Sequence, residues 1–176
     1  LAVINSSLMN WYFLSFLSEG MHFYPNDARK LPIPQIPLTE QQPLITHAQK
    51  MLDLTREFNE KRTAFVDYFR GKFALQKITR NLGHEVPSQN QLKITKRLES
   101  WHNLEFADFI KELGKQKVSL SSTDEFDFKP LFDREKKVCV ELQNQITKTD
   151  SEIDKMVYAL YGLSEEEIGV VEGLVG

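Results

Sequence analysis

The chain has 176 residues, 41% hydrophobic and 27% charged, the make-up of one folded unit, or one unit with an appendage, rather than of a disordered chain. Its 22 Lys and Arg against 25 Asp and Glu give a net charge of −3, which disfavours a generally basic nucleic-acid binder but leaves room for a local basic face. The single cysteine, Cys139, excludes an internal disulfide framework and a cysteine-only zinc site.

The first residue is Leu1 and apolar sequence follows at once, so we read the chain as a piece of a longer protein. The longest apolar stretch, Leu8 to Leu17, is interrupted by Asn10 and Ser15 and is too short to span a bilayer. It reads as a buried helix capped by Asn5 or Ser6, with Leu8, Met9, Tyr12, Phe13, Phe16 and Leu17 at helical spacing and Gly20 as its stop. No membrane partner and a cytoplasmic location are the expectation. Pro25-Asn26-Asp27 predicts a turn, and Leu31-Pro32-Ile33-Pro34-Gln35-Ile36-Pro37 predicts an extended crossing, at most a small β element, because three prolines forbid a helix or a central strand.

Thr39-Glu40-Gln41-Gln42 has the form of a capping box, with Pro43 in the first turn behind it. Leu44, Ala48, Met51, Thr55, Phe58, Arg62, Phe65 and Phe69 then alternate steps of four and three, a heptad seam with two polar interruptions. The spacing predicts a long helix over about 39–70, with Phe73, Ile78 and Leu82 continuing it past Gly71. His84 to Asn90 reads as a loop, and Leu92 to Trp101 carries no decisive pattern. Asn103 is positioned to cap a short helix with Leu104, Phe106, Phe109, Ile110 and Leu113 on its apolar face, ended by Gly114, and Lys117 to Ser121 suits a short extended piece. Ser122 and Glu125 form a further capping pair, but Pro130 puts the start of regular helix near residue 130. Cys139, Leu142, Ile146, Thr149, Ile153, Met156 and Leu160 make a second seam, over about 130–161, stopped by Gly162. Ser164 to Glu167 opens a last short helix with Ile168 and Val171 apolar.

The expected fold is therefore mainly α, a long antiparallel coiled-coil-like helical pair with short helices. Pairing within one chain is favoured by high effective concentration, and a homodimer through the heptad seams is its rival.

Chemistry is sparse. The eight glycines are scattered and form neither a P-loop nor a dinucleotide fingerprint. His22, His47, His84 and His102 show no metal-ligand spacing, so no metal is expected. Cys139 lies on the seam and suits a packing thiol. Asp127-Phe128-Lys129 and Glu135-Lys136-Lys137 are carboxylate-x-Lys triplets of a length that charged helices produce by chance. The Asn/Asp-Pro-Pro-aromatic loop of amino-group DNA methylation is absent, and no catalytic residue is assigned. The charges are uneven. Arg56, Lys61, Arg62, Arg70, Lys72, Lys77 and Arg80 face only Glu57, Glu60 and Asp67 in the same stretch, whereas Asp150 to Gly176 holds seven acids and Lys155 alone.

Ile4-Asn5-Ser6-Ser7-Leu8, Leu31-Pro32-Ile33-Pro34 and Thr39-Glu40-Gln41-Gln42-Pro43-Leu44-Ile45 occur in an order that resembles the end of DNA target-recognition domains, as in type I specificity subunits and TaqI-like adenine DNA methyltransferases. Leu98-Glu99-Ser100-Trp101, Leu104-Glu105-Phe106, Phe109-Ile110-Lys111-Glu112-Leu113 and the run Ile153 to Ser164 resemble the C-terminal region of type IIG restriction–modification enzymes. The resemblance implies residues 1–37 as the end of a target-recognition domain and 38–176 as a helical C-terminal region. It implies double-stranded DNA and the parent's methyltransferase domain as partners. The parent would methylate adenine N6 with S-adenosylmethionine, with or without a Mg2+-dependent endonuclease, while this portion would hold no cofactor and do neither reaction. Tyr24, Asn26, Arg29 and Lys30, on the turn before the proline crossing, are the candidate groove contacts, since Asn suits adenine and Arg suits guanine or phosphate. Arg56, Arg62, Arg70 and Lys72 are candidate phosphate contacts. The alternative is a helical protein–protein interaction module without DNA binding.

Overall fold

The computed structural model describes residues 1–17, 25–80, 94–116 and 118–173, with the backbone alone at 25 and 73–80. Among the described residues the chain is helical and contains no strand. Helix α1 spans Ser7–Tyr12 and passes into a π turn over Phe13–Leu17; α2 is the single turn Pro25–Ala28 and α3 is Leu38–Arg80. Then come α4, Lys96–Glu99, a 3-10 turn at Trp101–Asn103, α5, Phe106–Gly114, α6, Ser122–Tyr161, and α7, Glu165–Val171. The chain divides into two compact units, Leu1–Leu54 with Gln145–Gly176, and Thr55–Asn144. The long helices α3 and α6 each contribute a segment to both.

In the first unit Ser6 caps α1, its Oγ accepting from the Met9 amide at 3.4 Å and donating to the Val3 carbonyl at 2.8 Å. Leu8 and Met9 are buried, but Leu14 and Phe16 are about 60% exposed. The π turn winds more residues per turn than an α-helix, so Phe16 of the 3.6-residue pattern read over Leu8 to Leu17 turns outward, while Leu17 still packs against this core. Asp154 of α6 accepts from the Ser7 amide (2.8 Å) and hydroxyl (2.6 Å), a second cap for α1. Leu44 of α3 packs with Ile153, Val157 and Tyr158 of α6 and with Ala2, Leu8, Met9 and Leu31. His47 and Lys50 meet Glu152 at 3.6 and 3.7 Å, and Leu44 shares its surroundings with Leu160, so the two helices run antiparallel here.

Residues 32–37 are neither helix nor strand, as three prolines require; the Pro32 carbonyl accepts from the Tyr161 hydroxyl at 2.8 Å. Helix α3 starts at Leu38 rather than at a Thr39 cap. Pro37 precedes it and its carbonyl accepts from the Glu40 and Gln41 amides, while the Gln41 side-chain amide donates to the Ile36 carbonyl at 2.8 Å. Pro43 is thus the sixth helical residue, beyond the first turn.

Gly162, at φ 66°, ends α6: its amide bonds the Ala159 carbonyl and the Leu163 amide reaches the Tyr158 carbonyl, the paired bonds of a Schellman stop. Ser164 and Glu167 form the expected reciprocal box at α7, and those bonds hold the Glu167 carboxyl below the ordinary carboxylate range.

The Thr55–Asn144 unit is built on rings. Trp101, fully buried, stacks on Phe65 at 3.8 Å and meets Phe132 edge-on at 5.5 Å; its indole N–H donates to the Arg62 carbonyl at 3.2 Å. Phe69 meets Phe128, and Phe65 meets Phe132, so α3 and α6 are antiparallel in this unit too. Phe109, Leu113, Leu98, Val118 and Cys139 complete the core. Burying this many rings, each worth about 1.5–3 kcal/mol, explains why α6 begins eight residues before Pro130. Phe128 is 1% exposed, and its burial offsets an interior proline's cost of about 3 kcal/mol. The cap falls on Ser121, one residue before the expected Ser122, with the Ser121 hydroxyl and Asp124 exchanging bonds. Likewise α5 takes Glu105, not Asn103, as its N-cap, because Trp101–Asn103 is spent in a 3-10 turn that seats the indole. Helix α5 runs through Gly114 to a Lys115 cap. Lys136 of α6 donates to the Leu104 carbonyl (2.9 Å) and to Glu105 (2.8 Å), tying that junction down.

Candidate nucleic-acid and partner interfaces

Among the described side chains, the candidate cations of α3 do not lie on one surface. Arg62 is half-buried on the seam, its guanidinium 5.8 Å over the Phe58 ring and bonded to the Asn59 side chain. Lys72 is half-buried with its ammonium 5.3 Å over the Phe128 ring. Both cations therefore lean on the aromatic core. Arg56 and Arg70 are exposed, and their 14-residue separation puts them on one face about 21 Å apart. Arg70 also bonds Asp67 at 3.2 Å. Tyr24 lies outside the described residues. Asn26, on α2, and Arg29 and Lys30, just after it, are exposed, and Lys30 pairs with the buried Asp27 at 3.1 Å. These belong to the other unit, so the seven described candidates form two groups, each on its own body.

The partition of charge is plain. The Thr55–Asn144 unit holds 17 Lys and Arg against 14 Asp and Glu, whereas the other holds 5 against 11. In the acidic unit Asp150 sits near Asp154, and burial, then that neighbour, raises its carboxyl above the ordinary range. Tyr158 is pushed up to about 12 by burial, then by Asp154 and Glu172. Among the described residues no three His, Cys, Asp or Glu side chains converge to hold a metal ion. No helix of the described residues is long and apolar enough to cross a membrane.

The sequence reading missed a groove. It lies in the first unit, with a volume of about 700 Å3, between the Leu1–Ile4 turn, the Ile33–Ile36 part of the proline crossing, Leu160 and a stripe of α3. That stripe is Gln41, Leu44, Ile45, Ala48, Gln49 and Leu52. Ile45 and Leu52 follow the seam residues Leu44 and Met51 by one position and repeat seven apart, which is the signal that was available.

A family model for the domain of unknown function DUF8810 matches residues 37–157, more than half of the chain. The chain belongs to the DUF8810 family. The DUF8810 match takes in α3, the whole aromatic unit and α6 to Val157, so the ring core around Trp101 lies entirely inside it. No curated protein and no solved structure matches the chain.

Proposed function

We propose that this chain is the non-catalytic DNA target-recognition and scaffold portion of a restriction–modification DNA methyltransferase. The observation that carries the reading is the charge partition: the Thr55–Asn144 unit is cationic in balance and turns Arg56 and Arg70 outward on one face of α3. Such a face suits phosphate tracking, which positions a protein on the duplex without reading sequence. Asn26, Arg29 and Lys30 are exposed in the other unit and suit a groove edge. The order of the resembling segments along the chain supports the same parent. That parent would move a methyl group from S-adenosylmethionine to adenine N6 in the cytoplasm, with or without cleavage, through its own catalytic domain; this chain orients the recognition module against it.

The test is calorimetric titration of the chain with a 30-base-pair duplex across a salt series from about 50 to 200 mM. We expect weak binding that falls with salt, and Arg56→Ala with Arg70→Ala should flatten the log–log slope by about 0.9 per lost phosphate contact. Arg29→Ala with Lys30→Ala should weaken binding further. No binding at the lowest salt, together with a stable dimer in solution, would overturn the reading in favour of a helical interaction module.

A further inference from the structure

We propose that His102 is a proton-sensitive latch on the ring core of the Thr55–Asn144 unit: neutral, it holds the Trp101–Asn103 turn closed on the core, and a proton taken up by its imidazole opens that turn and releases the Trp101 indole from the Arg62 carbonyl. The proposal is independent of whether this unit meets DNA.

Three observations carry it. The first is the seat of the ring. Trp101 and His102 are consecutive and both turn inward, and His102 is 3% exposed. Its ring meets Phe58 edge-on, with centroids 5.1 Å apart at 89°, and Trp101 at 6.0 Å and 90°. Among the described residues its Nδ1 has no hydrogen-bond partner. A neutral imidazole can leave a bare lone pair at that nitrogen, whereas an imidazolium donates from both nitrogens. Protonation in place would therefore bury a charged N–H with nothing to accept it, which is costlier than an orphaned neutral group.

The second is the charge around it. From α3 the Arg62 guanidinium lies 5.8 Å over the same Phe58 ring that His102 meets, and it is the charge that acts on the imidazole, with the same sign as a proton there. Lys61 of α3 and Glu135 of α6 act instead on Cys139, and Glu135 is held by Arg134 at 2.9 Å. At the start of α5, Glu105 is taken by Lys136 of α6 at 2.8 Å. Farther along α5, Asp108 pairs with Lys111, and Glu112 with Lys115 and with Arg97 of α4. Glu57 and Glu60 of α3 and Glu99 of α4 are exposed. No carboxylate acts on the imidazole to favour its charged form, so burial and Arg62 both hold it neutral.

The third is the turn itself. It is three residues of 3-10 helix between α4 and α5, closed by the Asn103 amide on the Ser100 carbonyl (3.0 Å) and the Leu104 amide on the Trp101 carbonyl (2.9 Å), with no side-chain cap. Two backbone bonds of this kind are a small barrier to local opening beside the packing of the two rings. The Trp101 indole N–H, bonded to the Arg62 carbonyl at 3.2 Å, is the bond that such an opening breaks.

The test is solvent exchange of the Trp101 indole N–H in the 15N-labelled 176-residue chain, followed by NMR and referenced at each pH to a free tryptophan peptide; Trp11→Phe assigns the signal. An opened His102 takes up a proton below pH 6.5 and a closed one does not, so protection of the indole should fall by about tenfold per pH unit from there to the depressed folded value. His102→Phe and His102→Asn do not titrate in this range and should make protection independent of pH, while the amides of Phe65 and Cys139 keep theirs throughout in the parent chain. Protection of the indole that stays flat with pH, or a slope that survives in either variant, would overturn the proposal. So would a His102 C2–H signal that titrates at the ordinary value in the folded chain, a reading that needs no variant. Loss of protection at Phe65 and Cys139 in step with the indole would also overturn it, because the whole unit would then be unfolding.

Discussion

Thr149→Val should make the protein more stable. Thr149 lies on the α6 seam in the first unit, is 0% exposed, and its hydroxyl has no hydrogen-bond partner. A buried polar group left unpaired costs about 1–3 kcal/mol in desolvation. Valine keeps the branched shape, replaces the hydroxyl with a methyl group worth about 0.8 kcal/mol when buried, and differs little in helix propensity. A net gain of about 1–2 kcal/mol follows, and for a chain of this length each kcal/mol raises the melting temperature by about 2–4 °C. Thr149→Ser is the control: it keeps the orphan hydroxyl and loses a methyl group, so it should cost about 1 kcal/mol. Thermal melts by circular dichroism and urea curves at constant m-value read both variants. If Thr149→Val is destabilising while Thr149→Ser is neutral, the hydroxyl makes a bond that matters and the reasoning fails.

Three other outcomes are expected. Gly71→Ala should stabilise α3 by about 0.5–1 kcal/mol, since the added Cβ meets nothing within 4 Å, whereas Gly162→Ala should cost about 1–2 kcal/mol because its φ is +66°; urea midpoints that move the same way would contradict this. Burial, and then Arg62, hold His102 below the ordinary histidine value of 6.5, so its neutral form belongs to the folded state. The stability this confers is present above pH 6.5 and is lost as pH falls from there through the depressed folded value; unfolding free energies measured down this range should fall less steeply in His102→Phe. Cys139 is 0% exposed, with its thiol pushed up by burial and then by Glu135, so a disulfide reagent should label it only when the protein unfolds; rapid native labelling would contradict the packing role.

Much of the helical pattern was legible because both seams follow heptad spacing: Leu44, Phe65 and Phe69 on α3, and Cys139, Leu142, Thr149 and Ile153 on α6, are all buried. Thr55 is not; it is exposed, and Leu54 beside it is half-buried. Ser6 and Ser164 start α1 and α7 as expected, whereas α3, α5 and α6 start elsewhere for a physical reason. Serines, threonines and acids crowd each start, several neighbouring caps satisfy the same pattern, and distant packing chooses among them. Phe132 and Phe128 stand seven and eleven residues before Cys139, in the register of the same seam, but Pro130 between them ended the expected helix there; their rings pack against Phe65 and Trp101. The same holds for the candidate cations. Arg62, on the seam by its spacing, and Lys72 were both candidate phosphate contacts, but each is half-buried with its cation over a ring, Phe58 and Phe128. The groove was hidden because segments far apart in sequence, Leu1–Ile4 and Ile33–Ile36, line what the local pattern of α3 leaves open.

Trp101 has a use beyond packing. The chain has two tryptophans, and the structure gives one to each unit: Trp11, half-buried, and Trp101, wholly enclosed. Each body therefore carries its own intrinsic fluorophore. Trp101 should emit in the blue of the native spectrum and Trp11 further to the red, so Trp101→Phe and Trp11→Phe would each leave a protein whose emission follows one unit alone. Whether the two bodies melt together or in sequence can then be read by optical spectroscopy, without a label.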